Sequence, residues 1–287
     1  MLLSKSRLAA FTQCPEKYRL GYLLGLRPLK DKPALVEGRC LHELVEVGLT
    51  RTGDLDAILA EASQDFWKAT PLESLAYKDA AEYQATQVRC LAEAKLFLEQ
   101  IGELEVLAAE IHLEQPAVDL ESGAELPDLR LHGFVDLVVR DPDGEVRIVD
   151  IKTTSRKPQD LSGLSLDLSV YTYLHGYPGV FNGAVYPASL LYLVRTTKPQ
   201  ALWQHSTRGA KDFVDLMTLC QAVATNIQEQ RFWRNPGMGC SWCDFAPLCL
   251  GDDKAAAGAF GAEALDAYKA GVPVKRLDQL NDNDLGE

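Results

Sequence analysis

The clearest pattern along the chain is a pair of apolar segments separated by a short polar turn. Residues 134–139 and 146–151 are rich in β-branched and aromatic side chains, as strands usually are. Between them, Asp141-Pro142-Asp143-Gly144 has the residue types of a tight turn. The pattern therefore predicts an antiparallel β-hairpin.

Three charged residues interrupt this apolar hairpin. Because successive side chains of a strand point to opposite faces, Asp150 and Lys152 should share one face. Asp136 lies in the middle of the first strand, where a carboxylate is costly without a partner. Two carboxylates and a lysine beside a sheet can hold a divalent cation and activate a water molecule. This chemistry is suited to phosphodiester hydrolysis.

The remaining pattern predicts an α/β fold with a mixed central sheet flanked by helices. A long acidic region without strand signals precedes the first long strand and indicates a helical insertion. Helical periodicity appears at 4–11, 16–24, 37–49, 54–100, 164–174 and 208–229, and strand patterns at 105–113, 185–194 and 201–205.

Composition places the 287-residue chain among ordinary globular proteins, with 47% hydrophobic and 24% charged residues. Its apolar runs are shorter than the roughly 20 residues that a membrane helix needs. The first five residues include Ser4 and Lys5, too early for a signal peptide, so we expect a cytoplasmic protein. Residues 280–284 are polar and are predicted to form a solvated tail.

The net charge of −12 would disfavour a nucleic-acid partner if it were spread evenly. Residues 1–40 carry 8 Lys and Arg against 3 Asp and Glu, and residues 151–250 carry 9 against 6. By contrast, residues 41–120 carry 5 against 16. The acidic excess is therefore concentrated in the predicted helical insertion, and a basic surface elsewhere stays compatible with DNA.

Four of the seven cysteines have the arrangement of metal or cluster ligands. Cys240, Cys243 and Cys249 lie within ten residues, with glycines and a proline nearby, and Cys14 is a distant fourth candidate. Spacing alone leaves a structural zinc site and an iron–sulfur cluster open. Either would clasp the N-terminal segment to the C-terminal one. The other three lie singly among apolar neighbours and should be buried, unligated thiols: Cys40, Cys90 and Cys220.

With these residues the chain resembles the PD-(D/E)xK nuclease superfamily, and in particular its iron–sulfur, RecB/Cas4-like and AddB-like exonucleases. The resemblance is carried by four ordered blocks that together span nearly the whole chain. These blocks are Ser6-Arg7-Leu8 with Cys14-Pro15 and Tyr18, Gly38-Arg39-Cys40-Leu41-His42, Gly133-Phe134-Val135-Asp136 with Val149-Asp150-Ile151-Lys152-Thr153, and Cys240-x2-Cys243-x5-Cys249.

The resemblance implies a site as well as a restriction-endonuclease-like fold. It implies Mg²⁺ or Mn²⁺ held by His42, Asp136, Asp150 and the Ile151 carbonyl, with Lys152 orienting the attacking water. It also implies a [4Fe-4S] cluster on the four candidate cysteines, which are Cys14, Cys240, Cys243 and Cys249.

Two acidic residues, Asp167 and Glu110, lie at positions where the resemblance bears on the site. The related enzymes usually place a Gln four residues before a Tyr after the lysine, but here Asp167 precedes Tyr171. An acidic side chain near a phosphate is unfavourable unless it binds metal or points away. Tyr171 is carried over as a catalytic candidate, and Glu110, on the first long strand, as an acidic residue that contacts metal or supports the site.

The leading hypothesis is a metal-dependent DNA exonuclease acting on single strands or ends, in CRISPR adaptation, recombination and repair, or phage DNA processing. Its alternatives are a non-catalytic DNA-binding or assembly subunit that keeps the fold, and a nuclease with a zinc clasp. A basic surface would contact the phosphate backbone, and an aromatic ring would stack on bases. The candidates for these contacts are Arg156, Lys157, Arg195 and Lys198, with Tyr171 or Trp242.

We predict one nuclease domain over residues 1–287, without a membrane partner. Its parts are N-terminal helices with the first cluster cysteine (1–36), a helical insertion (37–104), a nuclease core (105–200), a C-terminal helix with the cluster loop (201–250) and a tail (251–287).

Overall fold

A computed structural model describes residues 1–102, 104–195 and 199–274. Lys198 and the predicted tail at 280–284 lie outside these ranges. The chain clusters into two compact units. The sheet unit comprises Met1–Leu2 and Lys32–Thr218, and the cysteine unit comprises Leu3–Asp31 and Leu219–Glu287. That the chain acts as one nuclease domain stays a prediction.

A mixed six-stranded sheet forms the centre of the fold, as the sequence predicts. Its strands are β1 (Leu2–Leu3), β2 (Glu105–Val118), β3 (Glu125–Arg140), β4 (Val146–Thr154), β5 (Tyr186–Val194) and β6 (Gln200–Arg208). The order is β1-β3-β4-β5-β6, and β2 also pairs with β3. β2 and β3 are longer than their sequence patterns indicated, because their ladder continues past Leu113 to Val118.

The predicted hairpin is confirmed as the antiparallel pair β3 and β4, with Leu137 opposite Val149. The turn closes where the Gly144 N–H donates to the Asp141 carbonyl at 2.9 Å. Gly144 has φ +91°, a left-handed conformation that a residue without Cβ adopts at low cost. This turn chemistry explains why the hairpin was readable from sequence.

The strand β4 pairs in parallel with β5, so the chain must cross over between them. The crossover contains α6 (Leu166–Gly176), which contacts β3, β4 and β5. β6 then pairs antiparallel with β5. The parallel pair places the end of β4, with Lys152, directly beside β5, where Lys152 is opposite Tyr192.

Three further helices belong to the sheet unit and carry the predicted insertion: α3 (Pro33–Thr50), α4 (Leu55–Ala69) and α5 (Ala80–Ile101). Their apolar faces form one core with the sheet, in which Cys40 and Phe97 are fully buried. Val149 and Ile151 lie in the same core. The predicted alternation of β4 is therefore confirmed on its apolar face.

The cysteine unit is helical and contains segments from the N-terminal and the C-terminal parts of the chain. Its helices are α1 (Lys5–Gln13), α2 (Pro15–Tyr18), the last part of α7 (Ala210–Gln228), α8 (Ala246–Leu250), α9 (Asp253–Phe260) and α10 (Ala262–Ala270). Ser4 caps α1 as predicted, because its hydroxyl accepts a hydrogen bond from the Arg7 N–H at 3.2 Å. Leu20 and Phe260 belong to its core.

None of the helices in the described ranges is long and apolar enough to cross a membrane.

Candidate active site

Three potential metal ligands from separate elements converge in the sheet unit. They are His42 on α3, Glu110 on β2 and Asp136 on β3, and one ligand atom from each lies within 4.8 Å of the others. His42 Nδ1 is 2.8 Å from Glu110 Oε1 and 3.5 Å from Asp136 Oδ1. One nitrogen and two carboxylate oxygens form a donor set that suits Mn²⁺ or Mg²⁺.

The backbone of β2 is distorted where it contributes its ligand. Glu110 has φ +47°, which is unusual for a residue with a side chain. The ladder between β2 and β3 is also irregular nearby, between Val106 and Ala108. Glu110 lies between residues paired with Leu137 and Val135, and hence opposite Asp136. The two carboxylates come together because the paired strands hold them at the same level.

The two neighbouring carboxylates favour the protonated, positively charged form of the His42 imidazole. Burial alone would lower the pKa of His42, but Asp136 and Glu110 raise it to about 9. Burial raises the pKa of Asp136, an effect opposed by His42 and reinforced by Glu110. A positive charge at this point therefore stabilises two buried or half-buried carboxylates.

Asp136 also connects the group to the second half of the predicted motif. Its Oδ2 accepts a hydrogen bond from the Ile151 N–H at 2.6 Å. Asp150 is 1% exposed, and its Oδ1 accepts from Lys152 Nζ at 3.0 Å. Within the described ranges, Asp150 does not join the 4.8 Å ligand group. Glu110 is the third member of that group, and a role for Asp150 as a metal ligand stays a prediction.

Lys152 is shared between two carboxylates. Besides Asp150, its Nζ contacts Asp167 Oδ1 at 3.1 Å. Burial opposes the charged amine, but Asp150, Asp167 and Asp136 together raise the pKa of Lys152 well above its usual value. Lys152 is therefore a fixed cation. Asp167 therefore does not point away from the site, which was one of the two alternatives that its sequence position left open.

Tyr171 lies in the core of the sheet unit. It is 1% exposed, and a Cβ built on Gly133 would lie 3.2 Å from its ring. The idea that Tyr171 stacks on bases is therefore wrong for this conformation, because its ring faces are covered by protein. Trp242 is 64% exposed and stays a stacking candidate. A catalytic role for Tyr171 stays a prediction.

The basic residues predicted to contact phosphate differ in their exposure to solvent and in their ion pairs. Arg156 and Lys157 are exposed. Arg195 instead forms ion pairs with Glu37 and with Glu93, which is fully buried, and its role as a phosphate contact stays a prediction. Sequence reasoning missed Glu37, although it directly precedes the Gly38 that opens the block ending at His42.

The cysteine unit holds the four cluster candidates on neighbouring segments. Cys14 Sγ accepts from the Asn235 N–H at 3.4 Å, and an Arg234 N–H donates to the Cys249 carbonyl at 2.8 Å. Burial raises the pKa of Cys249, whereas Arg234 lowers it. Across the described residues, no three of these sulfur atoms lie within 4.8 Å of one another.

The cysteines outside this loop are buried, as predicted. Cys40, Cys90 and Cys220 are all 0% exposed. Burial raises the pKa of Cys220 to about 12, so its thiol is protonated at neutral pH.

Comparison with solved structures shows similarity of fold. A candidate exonuclease from Eubacterium rectale has a TM-score of 0.50 at 12% identity, with 88% of each chain covered. The crystal structure of SSO0001 has a TM-score of 0.42 at 13% identity, covering 87% of this chain and 86% of that one. LHK-Exo, solved with dAMP, has a TM-score of 0.29 at 10% identity, covering 76% of this chain and 97% of that one.

Comparison of sequences identifies the superfamily. No curated protein sequence matches this chain. The family pattern of the PD-(D/E)XK nuclease superfamily matches residues 2–250, which include both the ligand group and the cysteine loop. Because the match covers most of the sequence and the mixed sheet carries acidic residues and a lysine at its centre, the chain belongs to the PD-(D/E)XK nuclease superfamily.

Proposed function

We propose that the protein is a metal-dependent DNA exonuclease that hydrolyses phosphodiester bonds in single strands or at DNA ends. The observation that supports this proposal most directly is the convergence of His42, Glu110 and Asp136 next to Asp150 and Lys152. Such a group of ligands beside a fixed lysine provides the charges that phosphodiester hydrolysis requires.

The residues present fit a divalent cation. Asp136 and Glu110 would offer carboxylate oxygens and His42 a ring nitrogen, and Asp150 and the Ile151 carbonyl are further candidates from the motif. A bound Mg²⁺ or Mn²⁺ would supply a Lewis acid for the phosphate and lower the pKa of a water. Because the side chains come from three elements, the packing of α3, β2 and β3 sets the geometry of the site.

Lys152 would stabilise the negative charge that develops on the phosphate during attack. Its amine is held by Asp150 at 3.0 Å, so its position is fixed before substrate arrives. Asp136 contributes in a second way, because its Oδ2 fixes the Ile151 N–H and thereby the strand between Asp150 and Lys152. Both roles depend on groups being placed in advance.

The test is a nuclease assay on single-stranded, duplex and end-blocked DNA with Mg²⁺, Mn²⁺ or EDTA. We expect cleavage that needs a divalent metal and is blocked by protected ends. Asp150→Asn should reduce the rate by about 100-fold or more, as loss of a preorganised charge usually does. The matched control is Asp143→Asn in the exposed turn of the same hairpin, which should cleave like the parent.

Two results would contradict the proposal. Equal cleavage by Asp150→Asn and the parent would show that the assigned site is wrong. If the parent binds DNA but cuts none of these substrates with either metal, a non-catalytic DNA-binding or assembly subunit becomes the better description.

We further propose a [4Fe-4S] cluster on Cys14, Cys240, Cys243 and Cys249. The hydrogen bonds from the Asn235 N–H to Cys14 Sγ and from the Asn235 side-chain amide to the Gln13 carbonyl hold the N-terminal and C-terminal segments of the cysteine unit together. A tetrahedral zinc site has Zn–S bonds of about 2.3 Å and therefore needs sulfur atoms about 4 Å apart. A [4Fe-4S] cluster is larger than a single ion and takes one thiolate on each of four irons, so the sulfur separations would distinguish the two groups once either is bound.

Anaerobic purification tests the cluster. We expect a brown protein with about four irons per chain, and loss of the colour in Cys249→Ala but not in Cys220→Ala. Cys220 is a fitting control because it is a buried thiol outside the loop. A colourless protein with stoichiometric zinc would show that the clasp is a zinc site.

The biological setting belongs to the same proposal. CRISPR adaptation, recombination and repair, and phage DNA processing all use enzymes that trim DNA ends. The protein partners would be the other proteins of the complex that carries out the process in question. The similarity in fold to the candidate exonuclease from Eubacterium rectale is compatible with end-trimming activity.

A further inference from the structure

The contacts of Lys152 include a partner outside the metal ligands. Its Nζ lies 3.0 Å from Asp150 Oδ1 and 3.1 Å from Asp167 Oδ1. Asp150 is on the same strand, whereas Asp167 comes from the helix that follows. The side chains of Lys152 and Asp167 are 29% and 23% exposed, whereas that of Asp150 is 1% exposed, so Asp167 is the acceptor on the solvent-accessible side of the amine.

The position of Asp167 is set by the start of α6. Asp167 is the second residue of this helix, and Ser165 caps it by accepting from the Leu168 N–H at 3.3 Å. A carboxylate in the first turn is stabilised by the partial positive charge of the helix N-terminus. The helix therefore presents a stable anion at the level of Lys152.

The start of α6 is itself anchored by a buried arginine. Arg208, at the end of β6, is 1% exposed. Its guanidinium donates to the Ser162 and Ser165 carbonyls at 2.8 and 3.0 Å and to the Ser169 hydroxyl at 2.9 Å. These three anchors, in the turn before α6, at its cap and in its fourth residue, leave little freedom for the backbone that carries Asp167.

We propose that Asp167 is a positioning residue that holds the Lys152 amine for the reaction while weakening the binding of DNA. This inference rests on the proposed nuclease function of the same site. With Asp150 alone, the lysine chain would have one anchor and could swing. With Asp167 as a second acceptor, the amine is confined between two points that belong to different elements.

The negative charge of Asp167 should also weaken the binding of DNA. A phosphate that approaches Lys152 from the solvent side also approaches the negative charge of Asp167, and like charges a few ångströms apart repel. Asp167 should therefore raise kcat through geometry and raise KM through charge. These two effects can be separated, because a neutral isostere keeps the hydrogen-bond acceptor and removes the charge.

Steady-state kinetics of Asp167→Asn and Asp167→Ala test both effects. Asp167→Asn should keep kcat within about threefold and lower KM for DNA by roughly three- to tenfold, the effect of one nearby charge at intermediate dielectric. Asp167→Ala should lower kcat by about 10- to 100-fold, because the amine is no longer held. Asp143→Asn controls for loss of one negative charge elsewhere on the hairpin.

A second measurement does not depend on cleavage. Competitive acylation of lysine amines, read by mass spectrometry on the full chain without metal or DNA, reports the accessibility of Lys152. Both variants lose a charge that raises the pKa of Lys152, so both should label faster than the parent, and Asp167→Ala, which also loses the acceptor, should label faster than Asp167→Asn. The other lysines should be unchanged.

The outcomes are distinguishable. Parent-like kcat and parent-like Lys152 labelling in a folded Asp167→Ala protein would overturn the positioning role. A KM in Asp167→Asn no lower than in the parent would overturn the charge effect. If the parent cuts no DNA, the proposed function fails, and the labelling experiment still decides whether Asp167 holds Lys152.

Discussion

Glu110 shows how one residue can store strain in a candidate active site. Its φ of +47° lies in the left-handed region, which costs a residue with a Cβ about 1 kcal/mol or more. Its carboxylate contacts His42 at 2.8 Å, so the strained backbone is coupled to the ligand group. We infer that the distortion of β2 is retained because it aims this carboxylate.

The strain at Glu110 can be measured by comparing two truncations. Glu110→Gly and Glu110→Ala both remove the carboxylate, but only glycine relieves the left-handed backbone. We expect Glu110→Gly to be more stable than Glu110→Ala by about 1 kcal/mol in urea denaturation. At Glu114, an exposed position on the same strand without positive φ, the order should reverse. The same order at both positions would show that Glu110 is unstrained.

At the scale of elements, a buried ion network joins two helices to the end of a strand. Arg195, directly after β5, pairs with Glu37 on α3 and with Glu93 on α5 at 3.0 Å. Arg89 on α5 pairs with Glu37 at 2.7 Å. The backbone N–H of Arg195 also donates to the carbonyl of Thr154, the last residue of β4, at 2.7 Å. The network therefore fixes α3, the helix that carries His42, relative to the strands of the site.

Breaking this network should cost far more than breaking a surface pair. Glu93→Ala leaves a partly buried arginine with one fewer partner, and we expect a loss of about 3 kcal/mol in the free energy of unfolding. Glu114→Ala, which removes the exposed pair with Arg130, should cost less than about 1 kcal/mol. Chemical denaturation measures both. A loss below about 1 kcal/mol for Glu93→Ala would show that the network adds little stability.

At the scale of the whole molecule, a net charge of −12 makes DNA binding depend on local basic residues. The acidic excess lies in 41–120, which includes α4 and α5, whereas Arg156 and Lys157 follow β4 and its lysine directly. Binding should therefore be weak, independent of sequence and strongly dependent on salt.

The salt dependence gives a quantitative test. Replacing both Arg156 and Lys157 by Ala, in the Asp150→Asn background so that DNA stays intact, should weaken single-strand binding. The slope of log K against log salt should become shallower by about 1.4, or about 0.7 for each lost phosphate contact. Lys68 and Lys78, exposed in the acidic region, provide a double control with the same charge change. An equal effect of both pairs would exclude a local contact.

Elements with local signals could be predicted from the order of the amino acids alone. The hairpin of β3 and β4 followed from strand alternation around a glycine turn, and α1 followed from its serine cap, because both depend on neighbouring residues. The lengths of β2 and β3 did not follow, since their ends are decided by pairing with each other. The same local reasoning placed Asp150 and Lys152 on one face, where the structure finds them 3.0 Å apart.

Which of these charged side chains meet depends on how the elements pack in the folded chain. The contact of His42 with Glu110 joins residues separated by 68 positions, and Arg195 meets Glu37 across 158. Sequence patterns carry no record of such contacts, so the ion pairs of Arg195 and the contact of Glu110 with His42 could not be predicted. Asp167 stood out in the sequence as an acid in an unexpected place. Its pairing with Lys152 depends on how α6 packs against the sheet. The charge of a side chain follows from its residue type, whereas its ion-pair partner depends on the fold.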